Sequence, residues 1–157
     1  MPAAVTGGTA MSTTAANKQV IRDFVAALND RSGEGWVPLL SPTVIDHNKV
    51  IFGEEDTPGA AIEGFRRQLA AFSIEQAGDG FRIEQLVAED EEVVARLRVA
   101  GVHTGHHARM PEPTNRRFDV EQIWIFTVRA GQIVEIRAVS DRLGMFLQLG
   151  WDWPTTD

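Results

Sequence analysis

The stretch "GQIVEIRAVSDRLGMFLQLG" sets one carboxylate, Asp141, between two apolar runs. Taking a carboxylate out of water is costly, so its place there asks for a purpose. In a dry pocket an Asp becomes a useful base, because desolvation raises it from its ordinary pKa of about 3.9. Such a group could take a proton α to a carbonyl and return one to the product alkoxide. Val139, Leu143, Met145 and Phe146 are the apolar neighbours that could dry it. The competing reading is an N-cap. Ser140 or Asp141 could cap a turn starting at Arg142, which holds the carboxylate near the surface and is worth ~1 kcal/mol. Both readings stand on sequence alone.

His103 is the second candidate. Val93, Ala95, Leu97 and Val99 alternate with Arg96 and Arg98, so period two puts His103 on the core-facing side of a strand. A neutral imidazole there could donate to a substrate carbonyl and stabilise an enolate, or could be a buried His satisfied by a backbone carbonyl. Arg137 shares the strand parity of Asp141 and would either bind a substrate oxyanion or hold Asp141 ionised. "HTGHH" invites a metal reading through His103, His106 and His107, but the run has no helical His-Glu-x-x-His pattern, and no metal is expected. His106 and His107 read as solvated loop residues. On sequence alone His47, in "IDHN", reads as a surface loop residue.

These side chains need a frame. With 157 residues, 43% hydrophobic and 24% charged, the chain is long enough for one core with a modest cavity. A net charge of -7 argues against nucleic acid, and the absence of cysteine excludes disulfides and thiolate chemistry. No apolar run reaches the ~20 residues of a membrane span, and the start has no signal pattern, so the default compartment is cytoplasmic. Residues 1–13 read as a disordered tail, and 14–152 as a single domain.

A helix is expected from a cap at Thr13 or Thr14 to about Asn29, with Val20, Ile21, Phe24, Val25 and Leu28 on one stripe. "WVPLLSP" reads as a short helical piece stopped by Pro42, and another helix starts near Ala60. After "EQAGDG" the period becomes two: "FRIEQLVAED", "EVVARLRVAGVHTG", "FDVEQIWIFTVR" and "QIVEIRAVSD" read as four antiparallel strands. Helices followed by strands predict an α+β fold with a curved sheet covered on one face. Trp36, Phe65, Trp124 and Phe146 are most simply core aromatics, though some must line any cavity, and Leu97 shares their side of the sheet. All five are expected as pocket wall. If Asp141 points inward, Val134, Ile136 and Ala138 need cover, which suggests a homodimer through that face. Trp151 and Trp153 would fold back or cover such a contact.

The order of "VIDHN", "GAAIEGF", "VVARLRVAGVHTG" and "AGQIVEIRAVSDRLGMFLQLG" over residues 17–150 resembles the SnoaL-like polyketide cyclases of the NTF2-like superfamily. That resemblance implies a helix-lidded cone around an apolar pocket and an intramolecular aldol closure without metal or cofactor. It implies a small hydrophobic or aromatic carbonyl substrate, Asp141 as the acid/base, and His47 facing the cavity as an orienting or proton-relaying group. The family also implies two alternatives, a cofactor-free hydroxylase and a non-catalytic small-molecule binder.

Overall fold

The computed structural model describes residues 12–48, 57–107, 110 and 112–152. Helix α1 (Thr13–Asn29) is capped ahead of both expected threonines: the Ser12 hydroxyl accepts the Ala15 amide at 3.2 Å. Of its expected stripe, Ile21, Phe24, Val25 and Leu28 are buried and Val20 is partly buried. The helical reading of "WVPLLSP" needs correction. Only Val37–Leu39 form a 3-10 turn, and Leu40–Asp46 continue as strand β1. Pro42 sits inside β1 because this strand is an edge, where a missing N–H leaves no ladder bond unmade.

Helix α2 (Ala60–Ala71) runs into the two-residue strand β2 (Phe72–Ser73). Four strands follow: β3 (Gly80–Glu89), β4 (Glu92–His103), β5 (Arg117–Arg129) and β6 (Gln132–Ser140), closed by the short helix α3 (Arg142–Gln148). The sheet runs β1-β6-β5-β4-β2, and β3 pairs with β4 along the rest of the edge that β2 occupies. Pairing is antiparallel throughout except for β1 on β6, which is parallel. The β5–β6 connection is a tight hairpin whose two turn residues, Ala130 and Gly131, both have positive φ. The result is the expected α+β cone, a strongly curled sheet with helices across its inner face.

Period two holds along β4. Val93, Ala95, Leu97 and Val99 are buried, while Arg96 and Arg98 face out and pair with Glu121 and Asp119. It fails in β6. A register shift at Thr127/Val128 leaves Val134 as an extra residue between Ile133 and Glu135, so Ile133 and Ile136 are both buried. From there Ile136, Ala138 and Ser140 turn inward, and Glu135, Arg137 and Val139 turn outward. The apolar face left uncovered is therefore not that of Ile136 and Ala138. It carries Val139, 75% exposed, its cross-strand partner Ile123, and the row Val87–Val94–Ile125.

Candidate active site

The inner face is filled unevenly. Under α1 and α2 it is packed solid with rings: Phe65 meets Phe24 at 5.6 Å, Trp36 at 5.8 Å and Trp124 at 5.9 Å. Towards the far ends of β4 and β5 the packing opens into a narrow cleft. Leu69, Phe72, Phe81, Val99, Phe118 and Met145 form its apolar wall. Its polar groups come from both ends of the chain: Arg31 after α1, Asn48 after β1, Gln68 in α2, Gln122 in β5, and Ser140 and Arg142 around the β6–α3 junction.

Trp36, Phe65, Leu97 and Trp124 do not line this cleft. They are buried in the core beneath it, because helices seated directly on the sheet need large side chains to fill the gap. Phe146 also stands away from the cleft, packed at a tilt against Trp151 with ring centres 4.9 Å apart. Trp151 thus folds back, its amide donating to the Phe146 carbonyl, while Trp153 lies outside the described residues.

Asp141 is not part of the cleft lining. Ser140 before it and Arg142 after it both line the cleft. Its own side chain is exposed and caps α3, accepting the Gly144 amide at 2.8 Å. The expected apolar cage is not there. Val139 and Leu143 are exposed, and among those neighbours only Met145 is buried. The parity change in β6 is the cause, since it sends the Val139 side of the strand to solvent.

Arg137 is likewise outward, with its guanidinium on Glu135 at 2.7 Å, so it does not reach the cleft. His47 joins the same surface group, its Nε2 2.7 Å from the other side of the shared Glu135 oxygen. Both expectations that placed these residues at the pocket are corrected: the extra residue in β6 turns Arg137 outward, and the register of β1 on β6, which sets Ile45 beside Glu135, points His47 out. The neighbour of His47 matters more. Asn48 lines the cleft and accepts a hydrogen bond from Arg142, and its amide donates to Asp46 at 2.8 Å. Burial raises the Asp46 carboxyl above the usual carboxylate range, an effect opposed by the Asn48 amide and by the charges of His47 and Arg142.

His103 is fully buried, as its parity predicted, but stands behind the cleft wall against Phe72, with ring centres 5.6 Å apart. The Thr114 amide donates to its Nδ1, which places the ring proton on Nε2, a buried atom without a hydrogen-bond partner among the described residues. Burial lowers its pKa from the ordinary 6.5, partly offset by the backbone of Gly105 and Met110. The ring is neutral at pH 7. A depressed folded pKa means that the unfolded chain takes up the proton first. Stability should therefore be fully present above pH 6.5 and fall as the pH drops from 6.5 through the folded value. Thermal melts across that window should show this slope, and His103→Asn, whose oxygen can still accept from Thr114, should flatten it. His107 departs from the solvated loop expected for it. It is buried and bridges to Met110, whereas His106 is exposed. Among the described residues no three His, Asp or Glu side chains converge as metal ligands.

Gln122 is the group that sequence reading missed. It sits on the inward parity of β5, 9% exposed, and its Oε1 accepts the buried Trp124 indole N–H at 2.6 Å. That bond occupies the amide oxygen, so the donor this cleft-lining residue has left is its NH2. The clue in the sequence was a polar residue at an inward position of an otherwise apolar strand face.

A cone with a cleft between sheet and helices is a frame used for many chemistries, so relatives bear on which one operates here. The chain matches the SnoaL-like polyketide cyclase family over residues 18–149. It belongs to that family. It is 34% identical over 120 residues to the aklanonic acid methyl ester cyclase DnrD of Streptomyces peucetius, covering 75% of this chain and 76% of that one. It is 33% identical over 115 residues to the nogalonic acid methyl ester cyclase of Streptomyces nogalater, covering 73% and 79%. Among solved structures, TsrD from Streptomyces laurentii superposes with a TM-score of 0.72 at 25% identity, over 90% of this chain and 98% of that one. An NTF2-like protein from Burkholderia thailandensis superposes at 0.62 with 18% identity, over 87% and 98%, and shows the shared fold alone.

Proposed function

We propose that this protein closes a ring in a polyketide-derived carbonyl compound by an intramolecular aldol reaction, using general acid/base chemistry and no cofactor. The observation that carries this reading is the match to the polyketide cyclase family together with the likeness, over 75% and 73% of the chain, to cyclases named for aklanonic and nogalonic acid methyl esters. In the reaction Asp141 takes a proton α to one carbonyl. The resulting enolate carbon attacks a second carbonyl, forming a C–C bond, and the new alkoxide receives the proton. Atoms balance, and the product is an isomer of the substrate. The place of Asp141 in the chain, between two cleft-lining residues, supports its role. Because the free protein leaves that carboxylate wet, the body of the substrate must exclude the water.

Gln122 supplies the oxyanion donor. Its amide is pre-oriented by Trp124, so it need not reorganise as charge develops on the carbonyl oxygen. The test is turnover of aklanonic and nogalonic acid methyl esters and of their free acids, read as a new species of unchanged mass without oxygen uptake. A hydroxylase would consume oxygen and add its mass. Gln122→Leu should lower turnover about 10²- to 10³-fold, as for the loss of one oxyanion donor. Full activity in that variant would remove Gln122 from the mechanism.

We also propose that the protein works as a homodimer through the outer sheet face. Val87, Ile123, Ile125 and Val139 are exposed there, between the outward pairs Arg96–Glu121 and Arg137–Glu135, a pattern that a two-fold copy can meet with itself. Val139→Lys should shift the mass in solution, measured by sedimentation, to that of a monomer. A wild-type monomer would end this proposal.

A further inference from the structure

Among the described residues, the charge on the cleft lining is one-sided. The chain carries 22 acidic and 15 basic residues, yet the described lining of the cleft contains two arginines and no Asp or Glu. The other polar groups on that lining are neutral amides and hydroxyls, such as Asn48, Gln68 and Gln122.

Arg31 comes from the turn after α1 and is anchored by one N–H on the Leu69 carbonyl at 2.8 Å. A guanidinium has five N–H donors, so this bond fixes its direction and spends one of them. Arg142 comes from the first turn of α3 and is steered by its bond to Asn48. For both, loss of water works against the positive charge. Asp46 offsets this for Arg142 from behind the lining, though burial disfavours the Asp46 anion too. A ligand anion entering between the two guanidinium groups would relieve that cost with charge-assisted hydrogen bonds, which an ester oxygen makes only weakly.

We propose that the cleft selects a substrate bearing a free carboxylate, held between Arg31 and Arg142, in place of the methyl esters named for the two cyclase relatives. This rests on the reading of the cleft as the substrate site. It implies that the reaction next to this one is not the methylation of that carboxyl. The step that supplies the substrate must leave an acid, as thioester hydrolysis does.

The probe pair is a naphthoate and its methyl ester, titrated calorimetrically into the full chain at low and high salt. The acid should bind at least about tenfold more tightly at low salt, and the ratio should shrink as salt rises. Arg31→Gln and Arg142→Gln should each reduce the ratio, and the double variant should bring it near one. Arg31→Lys and Arg142→Lys should keep part of it. The wild-type ratio and its salt dependence need no variant, so misfolding of a variant cannot mask the answer. Equal affinities, tighter ester binding, no measurable binding of the acid, or an acid preference surviving in a folded double variant would each overturn the assignment. Turnover of the methyl esters without any acid preference would leave the cyclase reading standing and sink the carboxylate site. An acid preference in a protein that cyclises nothing would do the reverse.

Discussion

Asp141→Asn should leave the fold as stable as before while turnover falls about 10²- to 10⁴-fold, the usual worth of a positioned general acid/base. The two halves of that result come from two jobs held by one side chain. As a cap, Asp141 accepts the Gly144 amide at 2.8 Å at the start of α3. Asn caps a helix about as well as Asp, so the substitution keeps that bond and the local geometry. As a base, the amide is useless, since it takes no proton from carbon. Asp141→Ala removes both jobs and should cost a further ~1 kcal/mol of stability. Thermal melts with turnover assays on the two variants separate the roles. If Asp141→Asn keeps turnover within a few-fold of the parent, the carboxylate is a cap alone, and proton transfer must come from another group at the cleft. The raised carboxyl of Asp46 would then be the first to examine.

Phe65→Ala should cost about 3–5 kcal/mol, a large part of the about 5–15 kcal/mol that holds a domain of this kind together. Phe65 is 3% exposed, on the buried face of α2, and its ring touches those of Phe24, Trp36 and Trp124. Truncation leaves a hole bounded by three rings from three different segments, α1, the residue that caps the 3-10 turn and β5, so no single movement can close it. Urea unfolding should show the loss as a lower midpoint with an unchanged slope. A pocket-wall residue behaves differently. Its loss enlarges the cavity, weakens ligand binding and barely moves the midpoint. That outcome would return Phe65 to the substrate site and move the boundary of the cleft beneath α2.

Much of this frame was legible without coordinates. The stripe of α1, the burial of Val93, Ala95, Leu97 and Val99, the outward arginines of β4 and the depth of His103 all follow from period alone. Those segments have one apolar side and one polar side, so the pattern has a single solution. β1 was less legible, because Pro42 signals a break unless the strand is known to be an edge. β6 was the segment that misled. Both of its parities carry apolar residues, Val134, Ile136 and Ala138 on one and Ile133 and Val139 on the other, so alternation could not say which side faces in.

By itself, then, the sequence determined the class of fold, the family and the core of the central hairpin, since each rests on local period or on ordered motifs along the chain. Only the tertiary structure decided which side chains meet in the cleft. One extra residue in β6, opposite Thr127 and Val128, turns Arg137 and Val139 to solvent and Ser140 inward. Arg31, Asn48, Gln122 and Arg142 are brought to one cleft from four segments. The physical reason is the period of two: a single bulge exchanges the faces of every residue beyond it, and pairing across the sheet, not composition, chooses where the bulge falls.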